Sequence, residues 1–279
     1  MNGEPLVRTF ETPTPVRLYV ENGSGRVVVV ATATSATHVR VAGARAEEAT
    51  ITQDRDKISV LAPKWRAGGL FRGDQSLDIE VEVPTGSQLV VKSGSADIDV
   101  TGEVAATRIK AGSAGVRLDR ISDTAVIDTG SGDVAIAAVA GDLRIRSGSG
   151  DIVLDDADGI ASISTGSGDV RIGHAARSVV VKTGSGDLEV LESEDDIAST
   201  TGSGRFVVRN ARRGRISAKG ASGDIVVGVP VGTPVWTDIT TITGRVSSTL
   251  PPAGQPAPGA DHVEIRATTV SGDVALVPA

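Results

Sequence analysis

Apolar residues fall at every second position through most of the chain, as at Val134 and Ile136, Ile152 and Leu154, Val170 and Ile172, and Leu188 and Val190. A two-residue period is that of a β-strand with one buried face. A little further along each unit a second pair follows, such as Leu143 with Ile145 or Val179 with Val181, so the pattern predicts two short strands per unit, separated by turns. Glycines punctuate the pattern at positions 94, 112, 130, 148, 166, 184 and 202, evenly spaced and always followed by serine. Self-similarity at a fixed period marks a repeat architecture.

Two strands and two turns make one flattened coil. Stacking coils at the usual strand spacing of ~4.8 Å lines up an apolar column through Ile98, Val116, Val134, Ile152, Val170, Leu188 and Phe206, and another through Val100, Leu118, Ile136, Leu154, Ile172, Val190 and Val208. An up-and-down antiparallel barrel would also alternate, but it would not need the same Gly-Ser corner at every second turn only. The expected fold is therefore all-β, a single-stranded parallel β-solenoid (β-helix) of 18-residue coils, with right-handed coiling favoured by the general crossover preference.

The register loosens at both ends. Residues 1–15 read as an N-terminal extension and 16–279 as the solenoid. Val16 to Ala42 reads as a first coil, because Asn22-Gly23-Ser24-Gly25 copies the corner well before it recurs at Gly94. Residues 43–84 then read as an inserted β-hairpin cap over an edge that would otherwise offer unpaired backbone groups. Regular coils occupy 85–219. The stretch 220–279 carries irregular coils, in which Ala221-Ser222-Gly223-Asp224, Thr243-Gly244-Arg245 and Val270-Ser271-Gly272-Asp273 continue the motif around a proline-rich loop at 251–259.

The copies of Thr129-Gly130-Ser131-Gly132-Asp133-Val134, the early Glu21-Asn22-Gly23-Ser24-Gly25 turn and the closing Val270-Ser271-Gly272-Asp273 resemble a bacterial β-strand-repeat family of unknown function, often labelled putative adhesins. The resemblance covers nearly the whole chain. It implies a parallel β-helix-like fold and no established catalytic residues, and hence a non-enzymatic structural or interaction scaffold. The alternatives are a carbohydrate-active parallel β-helix enzyme and a self-assembling solenoid filament. Adhesion would require export, and this N-terminus offers no signal for it.

Composition narrows the chemistry. A formal charge of -7 with no dense run of Lys and Arg argues against nucleic acid as a partner. Aromatics at 2% argue against sugar-stacking platforms, and the absence of cysteine excludes disulfides and thiol chemistry. No apolar run approaches the ~20 residues that cross a bilayer, so the default expectation is a cytoplasmic chain without a membrane segment, with cell-surface association left open.

Aspartates follow the glycine corner at Asp97, Asp133, Asp151, Asp169, Asp187, Asp224 and Asp273. Neighbouring carboxylates ~5 Å apart repel by about 1 kcal/mol in water. Either each accepts backbone N–H groups in its own turn, as Asx turns do, or Asp133, Asp151, Asp169 and Asp187 hold hard cations such as calcium. The serine column lacks an adjacent base for nucleophilic chemistry, and His38, His174 and His262 are scattered, with His174 read as a solvated loop residue. A protein partner is best met by Lys64, Trp65, Arg66, Leu70, Phe71 and Arg72, which unite aromatics and cations around a Gly-Gly pair. The competing reading is that Trp65 and Phe71 plug the open end of the core.

Overall fold

The computed structural model describes residues 4–63, 76–252 and 261–279. The chain falls into two compact units, Met1–Ala140 and Gly141–Ala279. Among the described residues both are all-β, apart from a single 3-10 turn at Ala46–Glu48, and in both the strands lie in two sheets with parallel pairing predominant. Side chains alternate between a buried and a solvent face along nearly every strand, as the two-residue period demands.

The first unit contains β1 (Leu6–Glu11), β2 (Arg17–Asn22), β3 (Gly25–Thr32), β4 (Ala36–Gly43), β5 (Thr50–Asp54), β6 (Lys57–Leu61), β7 (Leu77–Pro84), β8 (Gln88–Ser93), β9 (Asp97–Val104), β10 (Thr107–Ala111), β11 (Val116–Ile121), β12 (Ala125–Ser131) and β13 (Val134–Val139). One sheet runs β1-β4-β7-β3-β9-β11-β13 and the other β5-β6-β2-β8-β10-β12. Val116 pairs with Ile98 on one side and Val134 on the other, and all three are essentially inaccessible to solvent.

The ends of this unit differ from the sequence reading. Residues 6–11, expected to precede the fold, form β1, which pairs antiparallel with β4. The hairpin expected within 43–84 exists as β5 and β6. However, β6 and β7 also extend the parallel stack, β6 against β2 and β7 against β3. β7 thereby separates β4 from β3, so Val16 to Ala42 is not a coil of its own. The reason lies in burial: Leu77, Ile79, Val81 and Val83 supply a complete inward row along β7. The long gap in the motif closes in space, since the Ser95 N–H donates to the Gly23 carbonyl at 2.8 Å.

The second unit contains β14 (Leu143–Ser149), β15 (Ile152–Ala157), β16 (Ala161–Ser167), β17 (Val170–Ala175), β18 (Val179–Ser185), β19 (Leu188–Ser193), β20 (Ile197–Ser203), β21 (Phe206–Ala211), β22 (Gly214–Ser222), β23 (Ile225–Val229), β24 (Val235–Thr241), β25 (Val246–Ser248), β26 (Val263–Thr269) and β27 (Val274–Pro278). Its sheets run β15-β17-β19-β21-β23-β27-β25 and β14-β16-β18-β20-β22-β26-β24. Thus β26 and β27, later in the chain, lie between β22/β23 and β24/β25. β24 and β25 form the outer coil.

The corner motif has a steric cause. A Cβ on Gly184 would stand 2.6 Å from the Gly166 carbonyl oxygen, so the coils touch backbone to backbone there. Two residues on, Gly186 adopts φ +139° and a Cβ would meet the Gly168 oxygen at 2.2 Å. The threonines two before each serine brace the corner within their own coil: Thr165, Thr183 and Thr201 donate to the carbonyls of Ser167, Ser185 and Ser203 at 2.8, 3.1 and 3.0 Å.

Candidate functional site

The aspartate column is a hydrogen-bond ladder between coils. Asp151 Oδ1 accepts the N–H of Asp169 at 2.9 Å, Asp169 Oδ1 accepts that of Asp187 at 2.8 Å, and Asp187 Oδ1 accepts that of Arg205 at 2.7 Å. Asp224 and Asp273 repeat the arrangement toward Asp273 and Arg245, and Asp97 does so toward Gly115. Of the two sequence readings, the Asx-turn one placed these bonds within each aspartate's own turn. Instead the donor is the equivalent residue of the next coil, because parallel stacking brings that N–H under the carboxylate. Among the described residues no group of three or more His, Asp or Glu side chains converges as a metal-ligand set.

A second cluster lies on the second unit, on the solvent side of β15, β17, β19 and β21. The register sets Asp156, His174, Glu192 and Asn210 side by side. His174 is a strand residue of β17, not a loop residue, and its Nδ1 is 2.9 Å from Asp156 Oδ1. Its Nε2 is 3.6 Å from Glu194 Oε1. Arg212 pairs with Glu192, and the Arg213 guanidinium donates to the Glu194 carbonyl at 2.7 Å. The Asp156 hydrogen bond, with the Glu194 carboxylate beyond it, raises the His174 pKa above the ordinary histidine value. This cluster can bind and release a proton on the coil surface.

His38 Nδ1 stands 3.1 Å from the Thr9 hydroxyl, a contact that joins β4 to β1. Lys64, Trp65, Arg66, Leu70, Phe71 and Arg72, the partner-binding candidates, lie outside the described residues. What sequence reasoning missed is that β24 and β25 make up the outer coil of the second unit. Its core-facing side opens into a cavity of about 300 Å³ lined by Val231, Val235, Ile239, Val246, Leu250 and Leu276. Val231 in its lining is 69% exposed, and elsewhere on the same coil Trp236 and Ile242 are 61% and 73% exposed. The available signal was the run Val235-Trp236-Thr237-Asp238-Ile239, whose apolar alternation includes a threonine where the stacked neighbour β26 has Ile265.

The Toastrack DUF4097 family model matches residues 17–277. The chain belongs to the Toastrack DUF4097 family. No curated protein matches it. Among solved structures, it is similar to a putative adhesin from Parabacteroides distasonis (12% identity, 98% of this chain and 97% of that one, TM-score 0.47). A putative adhesin from Parabacteroides merdae (11%, 98% and 96%, 0.45) and a putative lipid binding protein from Parabacteroides distasonis (11%, 98% and 97%, 0.48) are similar to the same extent. Among the described residues, no helix of this DUF4097 chain is long and apolar enough to cross a membrane.

Proposed function

We propose that the chain is a non-enzymatic interaction scaffold: a single-stranded, right-handed parallel solenoid of 18-residue coils with a hairpin-capped N-terminal end. The observation that carries this reading is the aspartate ladder. The side chains best placed by repetition to do chemistry, the corner aspartates and the hydroxyls of Thr165, Thr183 and Thr201, are spent on backbone groups. The aspartates hold coil to coil, and the threonine hydroxyls brace the corner of their own coil. Rigid strands then present surface residues in fixed rows, which lowers the ordering cost of binding a partner.

The contact we assign to this scaffold is the segment Lys64 to Arg72, on its composition of tryptophan, phenylalanine and cations in an otherwise acidic chain. Replacing Trp65 and Phe71 by serine and comparing what each protein recovers from native cells tests the assignment. Loss of one partner at unchanged melting temperature supports it. A large stability loss with unchanged recovery sends those aromatics to the core instead. A polysaccharide depolymerisation screen tests the scaffold reading itself, since turnover of any glycan would overturn it.

A further inference from the structure

The outermost strands of the two units are built differently. In the first unit the outer positions are held by β1 and β5, both paired antiparallel to their neighbours and carrying Arg8, Glu11 and Asp54. Charges on an edge strand are a usual defence against pairing with another chain. The outer coil of the second unit has little such defence. Across 230–252 the charged side chains are Asp238 and Arg245 alone, in a chain of net charge -7. β24 is a run of β-branched and aromatic residues, VWTDITT, with no strand on its outer side among the described residues.

Backbone phase shows what this edge offers. The Val263 N–H donates to the Pro234 carbonyl at 3.0 Å. With the two-residue period of a strand, Pro234, Trp236, Asp238 and Thr240 therefore direct their backbone groups to β26. Val235, Thr237, Ile239 and Thr241 direct theirs off the free edge. The same residues turn their side chains to the core side, where Val235 and Ile239 line the open cavity. Covering this end thus satisfies a row of backbone groups and an apolar cavity together.

We propose that this end is a homodimer interface, formed by antiparallel pairing of β24 with β24 of a second copy about a two-fold axis through Ile239. Charge selects the occupant: the copies repel over most of their acidic surface but meet here at a neutral face. Side chains select the register. Centring on Ile239 sets Trp236 against Ile242, Thr237 against Thr241 and Asp238 against Thr240, all compatible cross-strand pairs. Centring on Asp238 opposes two carboxylates, and centring on Thr237 or Thr240 sets Asp238 against Trp236 or Ile242. Because the defended edges β1 and β5 offer no matching face, the contact is isologous and closes at two copies, not a filament.

Sedimentation of the full chain across the micromolar range tests this. The expected result is a monomer–dimer equilibrium, shifted to monomer by Ile239→Lys with unchanged far-UV circular dichroism, and untouched by Gln53→Lys on β5. The chain has no cysteine, so Asp238→Cys with Thr240→Cys provides a register test on exposed positions. These form a non-hydrogen-bonded pair, with Cα atoms about 4.5 Å apart. Oxidation should yield a covalent dimer from the double variant and none from Asp238→Cys alone. Monomer at every concentration, or a dimer that survives Ile239→Lys, overturns the proposal, as do open-ended oligomers. The readout does not involve a binding partner, so its failure leaves the scaffold reading separately testable.

Discussion

Replacing Asp169 separates the two forces that act along the aspartate column. Its carboxylate accepts the Asp187 N–H at 2.8 Å, and its own N–H donates to Asp151. Asp169→Ala removes the acceptor, and a typical net hydrogen bond is worth about 0.5–1.5 kcal/mol. It also removes repulsion from the neighbouring carboxylates, about 1 kcal/mol in water for charges ~4–5 Å apart. Asp169→Asn removes the same repulsion and keeps an acceptor oxygen. The difference between the two variants therefore isolates the bond, and the expected order of stability is Asn at or above wild type, with Ala below Asn by about 0.5–1.5 kcal/mol. For a chain of this size that is a separation of roughly 1–5 °C in melting temperature. Each protein is melted with and without a chelator, and the chelator should change none of the curves. If chelation lowers the wild-type melting temperature and Asp169→Asn abolishes the response, cations hold the column and the backbone account fails.

Ile136 and Ile172 are 1% and 0% exposed. Ile172→Asp should cost at least about 3 kcal/mol in chemical denaturation, against less than about 0.5 kcal/mol for Val153→Asp on the solvent face; equal costs would refute the inward row. Gly186→Ala forces a side chain into φ +139° against the Gly168 oxygen and should destabilise by about 1–3 kcal/mol, while Ser185→Ala should be nearly silent in the same melt. His174 is bonded to Asp156 and faces Glu194, so its raised pKa makes the protonated form the stabilising one. That contribution is complete below the ordinary histidine pKa of ~6.5 and is lost as pH rises through the raised value. Melting temperature should therefore decline over that interval in wild type, and the decline should flatten in His174→Gln; an unchanged profile would remove His174 as its source.

Much of the fold was legible because the repeat states its own register. Once Val170 and Leu188 are known to hold equivalent places in successive repeats, their pairing in the ladder follows. The Asp156–His174–Glu194 contact was not legible in the same way. It depends on which side chains of the far strand half face solvent, and no motif glycine marks that half. The order of the last coils was hidden for a different reason. Thr243-Gly244-Arg245 lacks the Ser and Asp of its neighbours, and among the described residues it has a coil on one side only. The intact corner Ala221–Asp224 stacks on Val270–Asp273 and not on Thr243–Arg245, as the Asp273 N–H donating to Asp224 at 2.9 Å records, while Thr243–Arg245 lies on the far side of Val270–Asp273. Degeneration of the motif thus marked the edge rather than the next layer.

That interleaving affects how the protein is made. In a simple coil stack each layer contacts only its neighbours, so a new layer can dock on the one just completed. Here β24 and β25 leave the ribosome before the layer that separates them from β22 and β23 exists. They must wait, or pair provisionally with β22 and β23, until β26 and β27 emerge and take that place. The contacts of this end join positions much farther apart along the chain than those of the regular coils do, as Ser222 beside Ser271 and Ser167 beside Ser185 illustrate. Closure over longer loops slows folding. Closing the last layers is thus slower than closing the regular coils, and until β26 and β27 emerge, β24 and β25 lack the layer that separates them from β22 and β23.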